Sequence, residues 1–251
     1  MNSIIKKIVA AVVTVSLCSF GMAKASENET GVKFAVQSDL VSSYIWRGMY
    51  QTGASFQPTL AFSVAGFSLT AWGSTDFDGY RSSEGLANKE IDLTAAYTFG
   101  ASGLTLSIAD LWWAGQGANK YFNFKSHETA HHFEAGLAYT FPLEKFPLSL
   151  AWYTMFAGQD KDAEGNQNNS SYVELNYPFS VKRVDLTATC GLVPYEAAQY
   201  YTSGFAVTNV ALKGTTAIKI TDSFSLPIFA QAIWNPRLED AHLVFGFTLK
   251  P

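Results

Sequence analysis

The stretch Lys89-Glu-Ile-Asp-Leu-Thr-Ala-Ala-Tyr-Thr-Phe99 alternates between two kinds of side chain along its whole length. Successive side chains of a β-strand point to opposite faces, so this alternation predicts a strand with one apolar and one polar face. The apolar face would carry Ile91, Leu93, Ala95, Tyr97 and Phe99, and the other face Glu90, Asp92, Thr94, Ala96 and Thr98.

The same alternation recurs along the rest of the chain. It is clearest in residues 104–109, 132–141, 173–179, 184–189 and 242–249. Short turns are predicted near 65–66, 100–103, 142–147, 180–182 and 221–223, and longer polar loops near 45–55, 78–88, 114–129, 158–170, 194–204 and 235–239. Short turns that alternate with long loops are typical of antiparallel transmembrane barrels. We therefore expect an all-β, transmembrane, antiparallel up-and-down β-barrel of about 12 strands. Ten or fourteen strands stay open, because residues 206–220 could contain a bulge or a loop.

Composition separates this barrel from a soluble one. A lipocalin-like barrel or a β-sandwich also alternates, with its apolar face inward. Here charged residues make up 15% of the chain, against about 25% in a typical soluble domain. Aromatic residues gather near strand ends, where interfacial girdles of membrane barrels need them. No segment beyond the first 25 residues is long and apolar enough for a transmembrane helix, which leaves strands as the spanning elements.

The N-terminus predicts export. Lys6 and Lys7 precede an uncharged apolar segment, and Ala23-Lys24-Ala25 has the small-x-small pattern of a cleavage site. We expect residues 1–25 to be a signal peptide and residues 26–251 to form the barrel in the bacterial outer membrane. Removal of residues 1–25 leaves 14 basic and 21 acidic residues, a formal net charge of −7, which argues against nucleic acid as a partner.

The single cysteine of the processed chain, Cys190, excludes an intramolecular disulfide and any zinc site built on two cysteines. No cofactor and no metal site are predicted. Asp160-Lys-Asp-Ala-Glu-Gly165 starts like a calcium loop, but Ser171 stands where a bidentate glutamate is required. An acidic external loop is the favoured interpretation of this segment.

Residues 42–52, Ser-Ser-Tyr-Ile-Trp-Arg-Gly-Met-Tyr-Gln-Thr, carry a family resemblance. They resemble the first strand and loop of the TorF porin family, in which a similar Ser, Tyr, Arg-Gly and Gln-Thr pattern occurs. The similarity continues through Pro58, 71–74 and 90–93, and so covers residues 38–99. It implies an outer-membrane barrel with a transport role and names no solute. The C-terminus, Phe247-Thr-Leu-Lys-Pro251, departs from the terminal aromatic residue that the barrel assembly machinery reads in many such proteins.

Ionisable residues fall opposite the apolar phase of their strands. Facing lipid, a lysine or arginine would cost roughly 2–4 kcal/mol near the bilayer midplane, so these side chains should face the lumen. The predicted lumen residues are Glu90, Asp92, Glu134, Glu174, Asp185, Lys213, Lys219 and His242. They would form either a cation-preferring pore lining or a network of ion pairs that fills a narrow barrel.

Arg47 stands beside Gly48 in the first long loop. It could line a constriction of the pore, or it could fix the loop by pairing with a carboxylate of the lumen. We favour the second interpretation.

Three functions stay open. The first is a passive outer-membrane channel for ions or small polar solutes. The second is a closed structural barrel that binds a surface partner, such as a glycan, through aromatic loops; its candidate residues are Trp112, Trp113, Tyr121, Phe122, Tyr195, Tyr200 and Tyr201. The third is a lipid-modifying enzyme, which needs a histidine beside a nucleophile at the lipid-facing rim; its candidate histidines are His127, His131, His132 and His242. We expect the protein not to be an enzyme. The expected partners are outer-membrane lipid and the assembly machinery, and the sequence does not fix an oligomeric state.

Overall fold

The computed structural model of the chain describes residues 31–77, 89–114, 120–126, 128–143 and 147–250. The expected signal peptide, the loop at 78–88 and His127 lie outside these residues. Fourteen strands are described: β1 (Lys33–Val41), β2 (Tyr44–Trp46), β3 (Met49–Thr52), β4 (Ser55–Val64), β5 (Phe67–Asp76), β6 (Lys89–Thr98), β7 (Leu104–Ala114), β8 (His131–Thr140), β9 (Ser149–Gly158), β10 (Ser171–Val181), β11 (Val184–Val193), β12 (Ala206–Lys219), β13 (Ser225–Asn235) and β14 (Asp240–Leu249). The described residues contain no helix of the length and apolarity that a membrane crossing needs.

Twelve of these strands form one closed antiparallel barrel. From β4 to β14 each strand pairs with the next along the chain, and β1 pairs with both β4 and β14 to close the sheet. The remaining two strands, β2 and β3, form a separate two-stranded hairpin. The expectation of an all-β, twelve-stranded antiparallel barrel is confirmed.

The connections at one end of the barrel are shorter than those at the other, with one exception, the tight connection after β13. Five short turns, after β4, β6, β8, β10 and β12, lie at one end, which we call the turn end. The start of β1 and the end of β14 also lie there, because strand direction alternates around the sheet. The opposite end, called the loop end, carries the connections after β1, β5, β7, β9, β11 and β13. The predicted turns and loops match these positions to within a few residues.

Strand β6 shows how the two faces are used. Glu90, Asp92 and Thr94 are buried, whereas Ile91 and Leu93 are exposed on the outside of the barrel. The outward aliphatic residues continue on β7 and β8, for example at Ile108 and Leu137. The polar face therefore points inward, which is the reverse of a soluble barrel.

The segment 206–220 is a single strand with a bulge. The register between β11 and β12 shifts at Gly191 and Leu192, which face Asn209 and Val207. Thr208 is the extra residue, and it is fully buried. A bulge of this kind re-aims the backbone locally, and here it brings the carbonyl of Thr208 close to the hairpin inside the barrel.

Candidate functional site in the barrel interior

The internal hairpin, residues 44–52, lies inside the loop end of the barrel. Its two central residues, Arg47 and Gly48, have φ angles of 51° and 85°. Positive φ at both positions is the requirement of a two-residue type I′ hairpin turn, which glycine adopts without steric cost. Trp46 and Met49, which flank the turn, pair with each other and are buried. The Arg-Gly sequence thus places one arginine at the tip of a tight turn within the lumen.

Arg47 binds Glu134 of β8 through two hydrogen bonds. Its Nη1 donates to Oε2 at 2.6 Å and its Nη2 donates to Oε1 at 2.8 Å. Their side chains are only 3% and 7% exposed. Burial alone would lower the pKa of Arg47, but the Glu134 carboxylate and the Tyr200 side chain together hold it well above its ordinary value. The favoured prediction, a loop fixed by an arginine–carboxylate pair in the lumen, agrees with this geometry.

Aromatic rings surround the guanidinium of Arg47. The Cζ atom of Arg47 lies 4.7 Å from the ring centroid of Trp46, 4.6 Å from that of Tyr153 and 4.7 Å from that of Tyr172. Nη1 also donates to the Tyr200 hydroxyl at 2.5 Å. Cation–π contacts gain strength when the cation is removed from water, so these rings add to the ion pair in holding the hairpin.

The hairpin also contacts β12 and β13. Asn235 Nδ2 donates to the carbonyl of Gly48 at 3.1 Å. A Cβ atom on Gly48 would lie 1.9 Å from the carbonyl oxygen of Thr208, so only glycine permits this approach. Trp46 stacks on Tyr200 with ring centroids 5.5 Å apart. These contacts attach the hairpin to the part of the barrel wall that β12 and β13 form.

A cavity of about 200 Å³ borders the hairpin. Its charged lining consists of Asp39, Asp92, Glu174, Lys213 and Arg47. Amide, hydroxyl and aromatic groups complete the wall, among them Gln57, Gln231, Asn209, Thr187, Thr189, Tyr44, Trp72 and Phe229. The interior is thus polar and acidic on one side of the hairpin.

Seven of the nine predicted lumen residues lie around the hairpin and the cavity. Arg47, Asp92, Glu174 and Lys213 line the cavity, and Glu134 holds Arg47. Glu90 is buried and accepts a hydrogen bond from the Tyr44 hydroxyl at 3.2 Å. His242 lies on β14 beside Tyr50, with ring centroids 6.0 Å apart.

The other two lie at the turn end and do not line the cavity. Asp185 accepts a hydrogen bond from the Ser180 hydroxyl at 2.7 Å. Lys219 pairs with Asp222, and its side chain is 68% exposed. Both residues follow the inward phase of their strands, but they stand where the strands end. Alternation predicts on which face of a strand a side chain lies, but not how far that side chain is from the end of the barrel.

The loop aromatics do not form one exposed surface. Tyr200 is 1% exposed because it packs against Arg47 and Trp46, and burial raises the pKa of its hydroxyl. Trp112 is also buried, whereas Phe122 is 86% exposed. Sequence reasoning therefore placed Tyr200 wrongly on a binding surface. A buried arginine needs aromatic and hydroxyl partners. This need is what could have identified Tyr200 as a residue of the interior.

An ionisable pair lies on the outer wall near the loop end. His131 is fully buried, with Nδ1 2.6 Å from Asp110 Oδ1 and Nε2 2.6 Å from the carbonyl of Tyr121. Rings of Trp112, Tyr121 and Phe124 cover it. Both ring nitrogens are engaged by acceptors, so neither can activate a serine hydroxyl, as the lipid-hydrolysis hypothesis requires of this histidine.

The acidic loop between β9 and β10 forms a turn around Asp162. The backbone N–H groups of Glu164 and Asn166 donate to Asp162 Oδ1 at 3.0 and 2.7 Å. Hydrogen bonds from the Asn166 side chain and backbone hold the pKa of Asp162 below its ordinary value. In the part of the chain that the structure describes, no three His, Cys, Asp or Glu side chains are placed to hold a metal ion.

Proteins of known structure resemble the chain only distantly. No curated protein matches the chain. A membrane protein from a study of the mechanism of in-meso crystallization shares 7% identity and a TM-score of 0.40, covering 87% of this chain and 83% of its own. Salmonella typhi OmpF in complex with daunomycin shares 9% identity and a TM-score of 0.35, covering 90% of this chain and 99% of its own. Likenesses this distant carry no functional argument.

The family match is more extensive. The model of Gcw_chp, described as a bacterial protein of unknown function, matches residues 25–219. The name TorF does not appear in this match, so that resemblance stays a prediction. Because the matched residues make up most of the sequence, this chain belongs to the Gcw_chp family of bacterial proteins.

Proposed function

We propose that this barrel is a porin-like channel of the bacterial outer membrane, which the internal hairpin narrows. Ions or small polar solutes would pass by diffusion through the acidic interior. The observation that carries the proposal is the inverted arrangement of the two faces: a polar interior with a hydrophobic exterior. The TorF resemblance and the export signal expected at residues 1–25 point in the same direction.

The exterior supports a lipid environment. Exposed aliphatic and aromatic side chains occur on strands around the circumference, including Phe34, Leu60, Leu69, Ile91, Leu93, Leu106, Ile108, Leu137, Leu150, Trp152, Leu212, Leu243 and Phe245. Soluble monomers rarely expose contiguous apolar patches beyond a few hundred Å². A belt of this composition is expected where a barrel contacts acyl chains.

The interior supports a preference for cations. Asp39, Asp92 and Glu174 line the cavity together with Lys213 and Arg47. Arg47 is already paired with Glu134, so its charge does not offset the cavity carboxylates. Carboxylates along a pore attract cations and repel anions.

The hairpin supports a narrow passage. It enters the lumen from the loop end and contacts β8, β10, β12 and β13. Trp46 and Met49 belong to a buried cluster that includes Ala109, Leu111 and Met155 on the barrel wall. We expect small ions to pass more readily than large solutes.

Conductance in a planar bilayer tests the proposal. The refolded barrel should give discrete current steps. Under a salt gradient, the reversal potential should have the sign expected of a channel that prefers cations. Asp92→Asn combined with Glu174→Gln should move that potential toward zero. Asp162→Asn, a carboxylate of the outer loop, should leave it unchanged. A folded barrel without current steps would refute the channel.

A closed structural barrel is the second candidate. The observation in its favour is the same buried cluster, which fills the loop end with apolar and aromatic side chains. This candidate predicts no current steps, either from the wild type or from a variant in which residues 44–52 are replaced by a short glycine-serine linker. Steps from the linker variant alone would assign the closure to the hairpin.

A further inference from the structure

We propose that residues 120–126, which we call the covering loop, contact the membrane surface next to the loop end. In this contact the Phe122 ring enters the lipid interface, and Lys120 and Lys125 bind lipid phosphate groups. The proposal rests on the membrane location of the barrel that is proposed above, and not on its conductance. It is carried by the position of the loop on the outer wall, by the hydrogen bonds inside the loop and by the side chains that it exposes.

Two buried residues on the outer face of the barrel show where the covering loop lies. Trp112 of β7 and its cross-strand partner His131 of β8 share the outward phase of their strands. They are nonetheless 7% and 0% exposed, whereas Leu137, further along the same face, is 49% exposed. The Tyr121 ring lies 5.3 Å from that of Trp112, and the Phe124 ring stacks on that of His131 at 4.3 Å. The covering loop is therefore folded down on the outside of the wall and not across the mouth of the barrel.

The covered patch contains a carboxyl group that acyl chains could not solvate. Asp110 lies on the same outer face, with its Oδ1 2.6 Å from Nδ1 of His131. Nε2 of the same ring lies 2.6 Å from the carbonyl oxygen of Tyr121. Because a charge on the lipid face of a barrel is destabilising, the loop shields this pair from the bilayer. The far side of the loop thereby replaces the wall as the surface that meets lipid.

Hydrogen bonds inside the covering loop fix its shape. The backbone N–H of Asn123 donates to the carbonyl of Lys120 at 3.0 Å, and Nδ2 of Asn123 donates to the carbonyl of Glu128 at 3.0 Å. The side-chain oxygen of Asn123 accepts from the N–H of Lys125 at 3.3 Å. An asparagine that binds the backbone two residues further on stabilises a turn. A surface formed in advance loses less conformational entropy when it binds.

The far side of the covering loop combines aromatic rings with basic side chains. Phe122 is 86% exposed, and Phe124 is 53% exposed. Lys120 is exposed, and the side chain of Lys125 is 76% exposed, with its Nζ 3.7 Å from Glu128. An exposed ion pair of this kind contributes little, so Lys125 can exchange it for a phosphate. Aromatic rings are favoured at the headgroup level of a bilayer, and lysines near the membrane surface are attracted to anionic lipid.

Spin labels at three positions test the contact. Each label is attached to one new cysteine, Phe122→Cys, Leu137→Cys or Glu164→Cys, in a Cys190→Ser background of the full chain. The protein is refolded into vesicles of phosphatidylcholine and phosphatidylglycerol. Collision rates of the label with oxygen and with a water-soluble nickel chelate report whether it lies in lipid or in water. The ratio of oxygen to nickel collisions at position 122 should be shifted toward that at position 137. A ratio equal to that at position 164, in the loop between β9 and β10, would overturn the proposal.

Lysine variants test the phosphate contact. Addition of phosphatidylglycerol to phosphatidylcholine vesicles should move the label at position 122 further into lipid. Lys120→Gln combined with Lys125→Gln should abolish this shift, because both charges that attract the phosphates are gone. Lys161→Gln combined with Arg237→Gln removes two charges from other connections of the loop end and should preserve the shift. A shift of the same size in the Lys120 and Lys125 variant would overturn the phosphate contact.

The label at position 137 separates this proposal from the membrane barrel itself. A label in lipid at position 137, together with one in water at position 122, would refute the contact of the loop and leave the barrel in the membrane. A label in water at position 137 would refute the membrane barrel, and the contact of the loop with it. Neither result depends on whether the barrel conducts.

Discussion

Removal of the Arg47 charge should release the internal hairpin. Loss of one partner from a buried ion pair costs about 3–5 kcal/mol, because the other charge stays buried without compensation. In the Arg47→Met variant that charge is Glu134, whose side chain is 7% exposed in the docked state. Each 1.4 kcal/mol is a factor of ten in an equilibrium. The ratio of docked to undocked hairpin should therefore fall by about 100-fold to about 4,000-fold.

Cysteine labelling measures this ratio. Met49 is 5% exposed on the hairpin, so Met49→Cys in a Cys190→Ser background reports undocking through its rate of reaction with a maleimide. Adding Arg47→Met should raise the rate at least about 100-fold. Combining Arg47→Met with Glu134→Leu should restore slow labelling, because no charge is then buried. Lys219→Met, at an exposed ion pair worth about 0–1 kcal/mol, is the matched control. An unchanged labelling rate in the Arg47→Met variant would refute the role of the ion pair.

Three further predictions follow from single contacts. Gly48→Ala should raise the same labelling rate, because its Cβ would lie 1.9 Å from a carbonyl of β12 at a φ of 85°; slow labelling would contradict the close approach. Ionised Asp162 should stabilise its turn at every pH above the ordinary aspartate pKa of about 3.9. This stabilisation should be lost as the pH falls through the lowered pKa of Asp162. A carboxyl NMR titration of Asp162 should have its midpoint below the ordinary value, and one at or above it would contradict the Asn166 hydrogen bonds. Asp110→Ala should lower the free energy of unfolding by about 2 kcal/mol, measured in urea with the barrel in lipid vesicles, because His131 loses a charged acceptor at 2.6 Å; a loss below about 0.5 kcal/mol would show that the pair is not stabilising.

Alternation predicted the strands and their two faces, and composition with the spacing of the turns predicted the barrel. In β6 alternation separated the buried Glu90 and Asp92 from the exposed Ile91 and Leu93 without reference to any other strand. It works because a strand in a one-layer barrel has only two environments, and each side chain must take one of them. The number of strands followed from the turns, which are local in sequence.

Long-range partners were beyond the same reasoning. The sequence indicated that Arg47 would pair with a carboxylate of the lumen, but nothing local selects Glu134, which is 87 residues away. The choice depends on the register of the strands from β4 to β8, which sets where Glu134 lies relative to the hairpin. The prediction that Lys219 lines the lumen was wrong for a related reason. A charged side chain near the end of a strand can turn toward solvent.

Asp110 was missed although its signal is present in the sequence. The apolar phase of β7 runs through Leu106 and Ile108 and then reaches Asp110, so a carboxylate falls on the outward face. A charge in that position requires a partner on the same outer face. His131 of the neighbouring strand β8 is that partner, and the Tyr121 ring of the intervening loop packs against it.

The docked hairpin also has a consequence for the order in which the molecule assembles. Residues near position 47 contact partners 87, 153 and 187 residues further along the chain. The entropy cost of bringing such distant segments together must be met before the contacts can contribute. The N-terminal strands therefore remain without their interior filling until the last third of the chain is in place. We expect the lumen of a half-assembled barrel to be wider and more hydrated than that of the finished one.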